Sequence, residues 1–394
     1  MSLFTHKSSS QYARVAHFNT THLRRQSFYA LPRAHLELLA APPFSYLETL
    51  NAVDDAIDSN AELSLAILKS GAASFGIPEI SSTTGSTESD WRSKATSNDL
   101  EKARSTLRQF FRDWSSEGSA EREACYGPVI KALKKEQESR TGPNMKVLVP
   151  GAGLGRLVFD LCCAGFDTEG NEISYHQLMA SSYILNHCPK AQAHTLFPWV
   201  HSFSNHRNRT NHLWSVLVPD IHPATTLGAV EKRGEMSMSA SDFLLLYGDK
   251  DQKDSFDAIA TVFFLDTAPN VIRYIEVIKN CLKPGGLLVN IGPLLWHFEN
   301  NAPGSHGRGK ESPGRQEAQG RTSLNSYVAP LIVKIGIADP GAVELTDDEV
   351  VALIEKLGFD IEHRESGIPA PYIQDVESML QNTYMATHWV ARKR

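Results

Sequence analysis

Two short apolar runs, each leading to a polar residue or a glycine turn, organise the middle of the chain. Val147, Leu148 and Val149 show no polar alternation, the pattern of a strand buried on both faces. The run enters Gly151-Ala152-Gly153-Leu154-Gly155, then an apolar helical stretch, then a second strand that ends on Glu172. Ser255 to Leu265 (SFDAIATVFFL) repeats the buried pattern and delivers Asp266 to its carboxyl end. One helix later, Leu282-Lys283-Pro284-Gly285-Gly286 stops the helix and reverses the chain into a strand from Leu287 to Gly292. The alternation of strand and helix predicts an α/β fold built on a mostly parallel sheet.

Outside these runs the period is mainly helical. Residues 1 to about 26 are polar and read as a partly ordered arm; Gln26 to Gly71 carries a helical pattern through Leu36, Leu38 and Leu39, then Leu63, Leu65, Ala66 and Leu68. Ser81 to Ser97 is a polar break that reads as a flexible loop. From Asn98 to Ala132 the helical signal is sharper, with Leu107, Phe111 and Trp114 on one buried face and Gln109 and Arg112 as i, i+3 neighbours away from it. Ser174 to Cys188 reads as the helix after Glu172. Thr346-Asp347-Asp348-Glu349 is a capping box opening a helix from Asp347 to Leu357, and closing strands are expected near Phe359 to His363 and Tyr384 to Ala391. Glu299 to Leu324, rich in Gly, Ser, Pro and charge, reads as disordered or as a lid. The resulting division is an arm and helical region over 1–97, a helical cap over 98–144 and an α/β domain over 145–394. That domain carries insertions at about 190–236 and 299–340.

The glycine turn indicates a nucleotide-like ligand. Glycines allow a sharp exit from the strand and a close backbone approach, and Glu172 stands nineteen residues after Gly153, where a carboxylate can accept ribose hydroxyls. A dinucleotide fingerprint would place glycine or alanine at position 156, which holds Arg156. The G-x-G-x-G pattern instead resembles that of S-adenosylmethionine (SAM)-dependent methyltransferases. Together with the second half-sheet it points to a class I methyltransferase, Rossmann-like and seven-stranded, rather than a dehydrogenase. Asp242 and Phe243 stand where such enzymes set an acid on the adenine amino group and an apolar side chain beside the ring. Arg112 suits planar carboxylate recognition, although Gln109 and Arg112 equally fit a solvated helix face. The insertion carries Phe197, Trp199 and Phe203, which fit either a substrate wall or a local core.

Composition narrows the partners. The formal charge of −6 in 394 residues gives no general drive towards nucleic acid. Five cysteines, Cys125, Cys162, Cys163, Cys188 and Cys281, show no metal-ligand spacing. Neither a signal peptide nor a membrane-spanning run is apparent, so a soluble chain in a reducing compartment is expected.

Six separated blocks then resemble the carnosine N-methyltransferase family: VLVPGAGLGRL, GNEISY, FPWVHSFSN, FFLDTAPNVIRYI, LKPGGLLVNIGPLLWHFEN and QFFRDW with its following ER-x-ACY. The resemblance runs from about Asn98 to Arg394. It implies methyl transfer from SAM to an imidazole nitrogen of carnosine (β-alanyl-histidine), giving anserine. It also implies a homodimer and a cytoplasmic location, with the nucleus as a second compartment. It sets Gln109, Arg112, Gly151, Gly153, Glu172, Asp242, Phe243 and Val262 at cofactor positions, and Asp266, His297 and Tyr384 on the substrate side. Without it, His297 and Tyr384 read as structural residues. Pro269 departs from the histidine expected of animal members, and the stretch from Asn301 to about Pro340 has the look of an insertion.

The chemistry so implied is an in-line displacement that depends mainly on positioning. Imidazole, with a reference pKa of about 6.5, is largely neutral at physiological pH. Asp266 is expected to accept the imidazole N–H opposite the reacting nitrogen, while His297 and Tyr384 orient the ring or the dipeptide ends.

Overall fold

A computed structural model describes residues 11–74, 97–301, 337 and 341–394. The runs read as strands are Lys146–Pro150 (β1), Asp167–Glu172 (β2), Phe256–Val262 (β6) and Leu282–Gly292 (β7), and Met236–Ala240 (β5) is a further, partly exposed strand that the sequence pattern does not indicate. Short strands His194–Leu196 (β3) and Val216–Val218 (β4) form a separate antiparallel pair within the insertion. The closing hairpin, Phe359–Pro371 (β8) and Thr383–Lys393 (β9), is longer than the sequence pattern suggests. The main sheet has seven strands in the order β5-β2-β1-β6-β7-β9-β8. From β5 to β7 all pairings are parallel; β9 runs antiparallel to both its neighbours. The order reverses between β1 and β6, so the carboxyl ends of these strands open a crevice at a topological switch point.

Three long helices, preceded by shorter ones, come before the sheet: Tyr46–Ser74 (α1), Ser97–Trp114 (α2) and Ser119–Glu138 (α3). The seam predicted on α2 is buried, with Leu107 and Phe111 4 % exposed and Trp114 fully enclosed. It shares one core with Val53 and Ile57 of α1, Phe159 after the glycine turn, and Trp199 and Val200 of the insertion. The Asn60 amide ties α1 to the insertion by accepting from Phe197 N (2.8 Å) and donating to Phe197 O (3.0 Å). The helical region and the insertion therefore pack as one layer on the sheet. The arm-like reading fails from Gln11 onward: the chain there is helical, and Tyr12 and Ala16 are buried in this same core.

Other boundaries shift for local reasons. β6 ends at Val262 because Phe263 adopts φ 52°, a left-handed conformation that a strand cannot contain. Asp266 consequently lies in a short 3-10 turn, Leu265–Thr267, rather than at the strand's end. The helix expected after Glu172 divides into an α-helical part, Tyr175–Ser182, and a π turn, Tyr183–His187. Most of the Glu299–Leu324 stretch and the whole Ser81–Thr96 stretch lie outside the described residues.

Candidate active site

The glycine turn is shaped by its backbone. Gly151 and Gly153 adopt φ 68° and 58°, values that side-chain-bearing residues seldom take. A Cβ on Gly151 would stand 2.8 Å from the Phe264 ring, whereas one on Gly153 would meet nothing nearer than Gly151 O at 4.0 Å. Gly155, at φ 78°, caps the helix Arg156–Cys163. The Trp114 indole donates to Leu154 O (3.1 Å) and seats α2 over the turn.

Arg156, the residue that replaces the third glycine of a dinucleotide fingerprint, is buried among partners. Its guanidinium donates to Asp113 O (3.0 Å), to Asp160 (2.9 Å) and to Asp220 (2.7 Å), while Arg122 reaches the other Asp220 oxygen at 3.0 Å. The network binds the end of α2, the glycine-turn helix and the insertion together.

Glu172 closes β2 with a carboxylate 6 % exposed. One oxygen accepts the amides of Ile173 (2.8 Å) and Ser174 (2.7 Å); the other accepts Gly153 N (3.0 Å). Burial raises its pKa above the ordinary value, and the three amides offset part of that shift. The acid thus braces the turn and keeps acceptor capacity on the cavity side.

A cavity of about 550 Å³ opens above β1, β2 and β6, within the range of small-molecule sites. Every residue predicted for the cofactor lines it: Gln109, Arg112, Gly151, Gly153, Glu172, Asp242, Phe243 and Val262. Arg112 is paired through Nε and Nη2 with Asp113 (2.7 and 3.0 Å) and lies 5.2 Å from the Tyr372 ring. Burial disfavours its charge, but Asp113 together with Tyr126 and Tyr372 holds the pKa above the ordinary arginine value. Gln109 accepts from the Gln177 amide (3.0 Å). Asp242 caps the next helix through Leu244 N (2.8 Å), and its second oxygen accepts Ile337 N (2.9 Å). The Phe243 ring packs edge-on to Phe264 (5.4 Å) and Tyr274 (5.4 Å).

The three substrate-side residues occupy different depths. His297 is exposed on the cavity wall. Asp266 is not among the lining residues; it is 2 % exposed directly behind that wall. Its carboxylate accepts Leu295 N (3.0 Å) and its carbonyl accepts His297 N (3.0 Å). These two bonds flank Trp296, which is held at φ 42°, so Asp266 clamps the strained turn that presents His297. Burial raises the Asp266 pKa, against the Leu295 amide and the nearby His297. Tyr384 stands one ring removed from the cavity, 5.9 Å from Phe263 and 6.2 Å from Tyr372. Pro269 is buried, and its carbonyl accepts Val343 N (3.0 Å), so the departure there bears on loop packing.

Sequence reasoning missed Asp113, Gln177 and Tyr372. Asp113 was legible as the acid following Arg112 in QFFRDW. Tyr372 comes from the loop of the closing hairpin, whose return over the cavity no local pattern reveals. Among the described residues no cluster of three or more His, Cys, Asp or Glu could hold a metal, and no helix is long and apolar enough to cross a membrane.

The strand order, the glycine turn at the switch point and the acid closing β2 define a class I methyltransferase fold with its ligand cavity at the expected edge. The family narrows this further. A family profile described as carnosine N-methyltransferase matches residues 89–394, and the chain belongs to that family. It is 34% identical over 384 residues to a carnosine N-methyltransferase of Schizosaccharomyces pombe, covering 97% of this chain and 92% of that protein. A Mus musculus carnosine N-methyltransferase is 33% identical over 384 residues, covering 97% and 83%. Among solved structures, a SAM-dependent methyltransferase from Methanosarcina mazei is 16% identical with a TM-score of 0.35, over 66% of this chain and 96% of that one.

Proposed function

We propose that this protein transfers a methyl group from SAM to an imidazole nitrogen of carnosine, giving anserine. The observation that carries the reading is the convergence of all eight sequence-predicted cofactor residues on one cavity, in a chain of this family. The site fits the cofactor: Gly153 leaves open space where a side chain would obstruct, Glu172 retains acceptor capacity for ribose hydroxyls, and Arg112 is held charged. Asp242 and Phe243 provide an acceptor and a ring for adenine.

When bound, SAM supplies a sulfonium-activated methyl group. The protein's part is to aim a neutral imidazole nitrogen at that carbon, at about 3 Å, and to favour the cationic product. His297 on the wall contacts the substrate ring or its amide. Asp266 acts from behind it, through the Leu295–His297 turn, and its negative charge favours positive charge developing in front. Direct acceptance of the substrate N–H by Asp266 requires an oxygen not engaged by Leu295. Tyr384 backs Phe263 and Tyr372 and sets the far wall. The same reading includes a homodimer and a cytoplasmic location with a nuclear pool, tested by light scattering and by imaging a tagged chain.

The test is a methylation assay with isotope-labelled SAM and a panel of carnosine, free histidine and a histidine-containing protein. The reading expects carnosine to be methylated with the highest kcat/KM. Preference for protein histidine or another imidazole would reassign the substrate.

A further inference from the structure

A second cavity, about 190 Å³, lies beside the first and is lined by Arg104, Arg108, Trp199, His201, Gln374 and Asp375 among others. Its charge is unbalanced. Arg104 pairs with Glu101 at 3.3 Å, on an exposed side. Arg108 is half-buried, with its guanidinium 5.7 Å from the Trp199 ring and within the electrostatic reach of Arg104, Tyr372 and Glu121. Its Nε is buried without a hydrogen-bond partner, as is the Trp199 Nε1. Asp375 is the acid among the described lining residues, and it is committed to the Asn211 amide (3.0 and 3.2 Å) and to Glu377 N (3.0 Å). His201 supplies no charge: burial, followed by the adjacent Arg104 and Arg108, pushes its pKa down to about 3. Burial and Arg104 also lower the Arg108 pKa. Both shifts record burial and a net positive field, which the Glu121 carboxylate, already held by the amides of Ile373 and Gln374, offsets only in part. A desolvated guanidinium left in that state is costly, and a carboxylate is the planar anion that matches its donors.

The position of this cavity identifies the carboxylate's source. Arg108 is about one helical turn, roughly 6 Å along the axis, before Arg112 on α2. Tyr372 acts electrostatically on both arginines, and its ring lines the first cavity. The next residues, Ile373 and Gln374, line the second. A histidine residue holds its ring and its carboxylate a few ångströms apart, on the scale of that single turn.

We propose that Arg108, supported by Arg104, forms the carboxylate subsite that holds the carboxyl end of the histidine-containing dipeptide while its ring enters the first cavity. This rests on the functional reading above and adds a determinant of specificity to it.

The experiment compares carnosine with β-alanyl-histamine, which keeps the imidazole and amine but lacks the carboxylate, in the full-length wild type, Arg108→Gln and Arg108→Lys. The wild type is expected to favour carnosine by about 10- to 100-fold in kcat/KM, mainly through KM, the size of a charge-assisted contact. In Arg108→Gln the ratio should collapse to within about threefold, and Arg108→Lys should restore part of it. Equal use of both substrates by the wild type overturns the subsite alone, whatever the variants' folding. A fall in Arg108→Gln of the same size for both substrates also overturns it. Methylation of neither substrate by wild type that binds SAM overturns the functional reading, and the subsite with it.

Discussion

Replacing Glu172 with glutamine removes one charge and turns one acceptor into a donor, with almost no change in volume. The structure determines where the damage falls. Glu172 accepts two amides, Ile173 and Ser174, on one oxygen and Gly153 N on the other. The remaining glutamine oxygen can serve either the pair or Gly153, and the NH₂ then opposes a backbone donor. Facing Ile173 and Ser174 is the less costly choice, which leaves Gly153 N against the NH₂ and loosens the turn at its ligand-facing residue. Loss of one charge-assisted contact is worth about 1.5–3 kcal/mol. SAM affinity should therefore weaken by roughly 10- to 150-fold, measured by calorimetry, with a cooperative melt retained. The raised pKa of Glu172 adds a pH signature. Because the charged form is the acceptor, wild-type SAM binding should fall as pH drops through that pKa, at a higher pH than an ordinary glutamate allows, and Glu172→Gln should lack this limb. Binding by Glu172→Gln within twofold of wild type would refute the assignment.

Three further outcomes are expected. Asp266→Asn should lower kcat/KM for carnosine by at least about 10-fold with SAM affinity nearly unchanged, because its contacts lead to the His297 turn and not to the cofactor wall; unchanged turnover in steady-state kinetics would remove that role. Asp220→Asn leaves Arg122 and Arg156, with side chains 8% and 9% exposed, short of their shared counter-ion; chemical denaturation should show a loss of about 3–5 kcal/mol. His17 faces Asp54 and Asp58 through its two ring nitrogens at 2.7 Å each, and although burial opposes the charge these bonds raise its pKa. Its stabilisation is present below the unfolded pKa and lost as pH rises through the folded value, so the difference in thermal stability between wild type and His17→Gln should narrow from about pH 6 to pH 9.

Features that depend on local backbone chemistry were legible in the sequence. The glycine turn, the acid closing β2 and the buried strands all follow from side-chain pattern and spacing, and the seam on α2 appeared as i, i+4, i+7 apolar positions. Long-range features were not. That Gln109 and Arg112 face the cavity rather than solvent depends on Trp114 anchoring α2 to Leu154 O. The depth of Asp266 depends on Phe263 breaking β6 one residue after Val262. Tyr372 enters the site because the closing hairpin extends to Pro371 before turning, a length set by pairing with β9. The aromatic insertion is core: Trp199 packs against Phe111 at 5.0 Å, and it also borders the arginine-lined cavity.

The most direct measurement is NMR of the product formed from methyl-labelled SAM and carnosine. The account predicts a single labelled N-methyl resonance correlated with imidazole ring carbons, with S-adenosylhomocysteine formed in equal amount. A label on the β-alanyl amine, or no labelled dipeptide from protein that binds SAM, would contradict it.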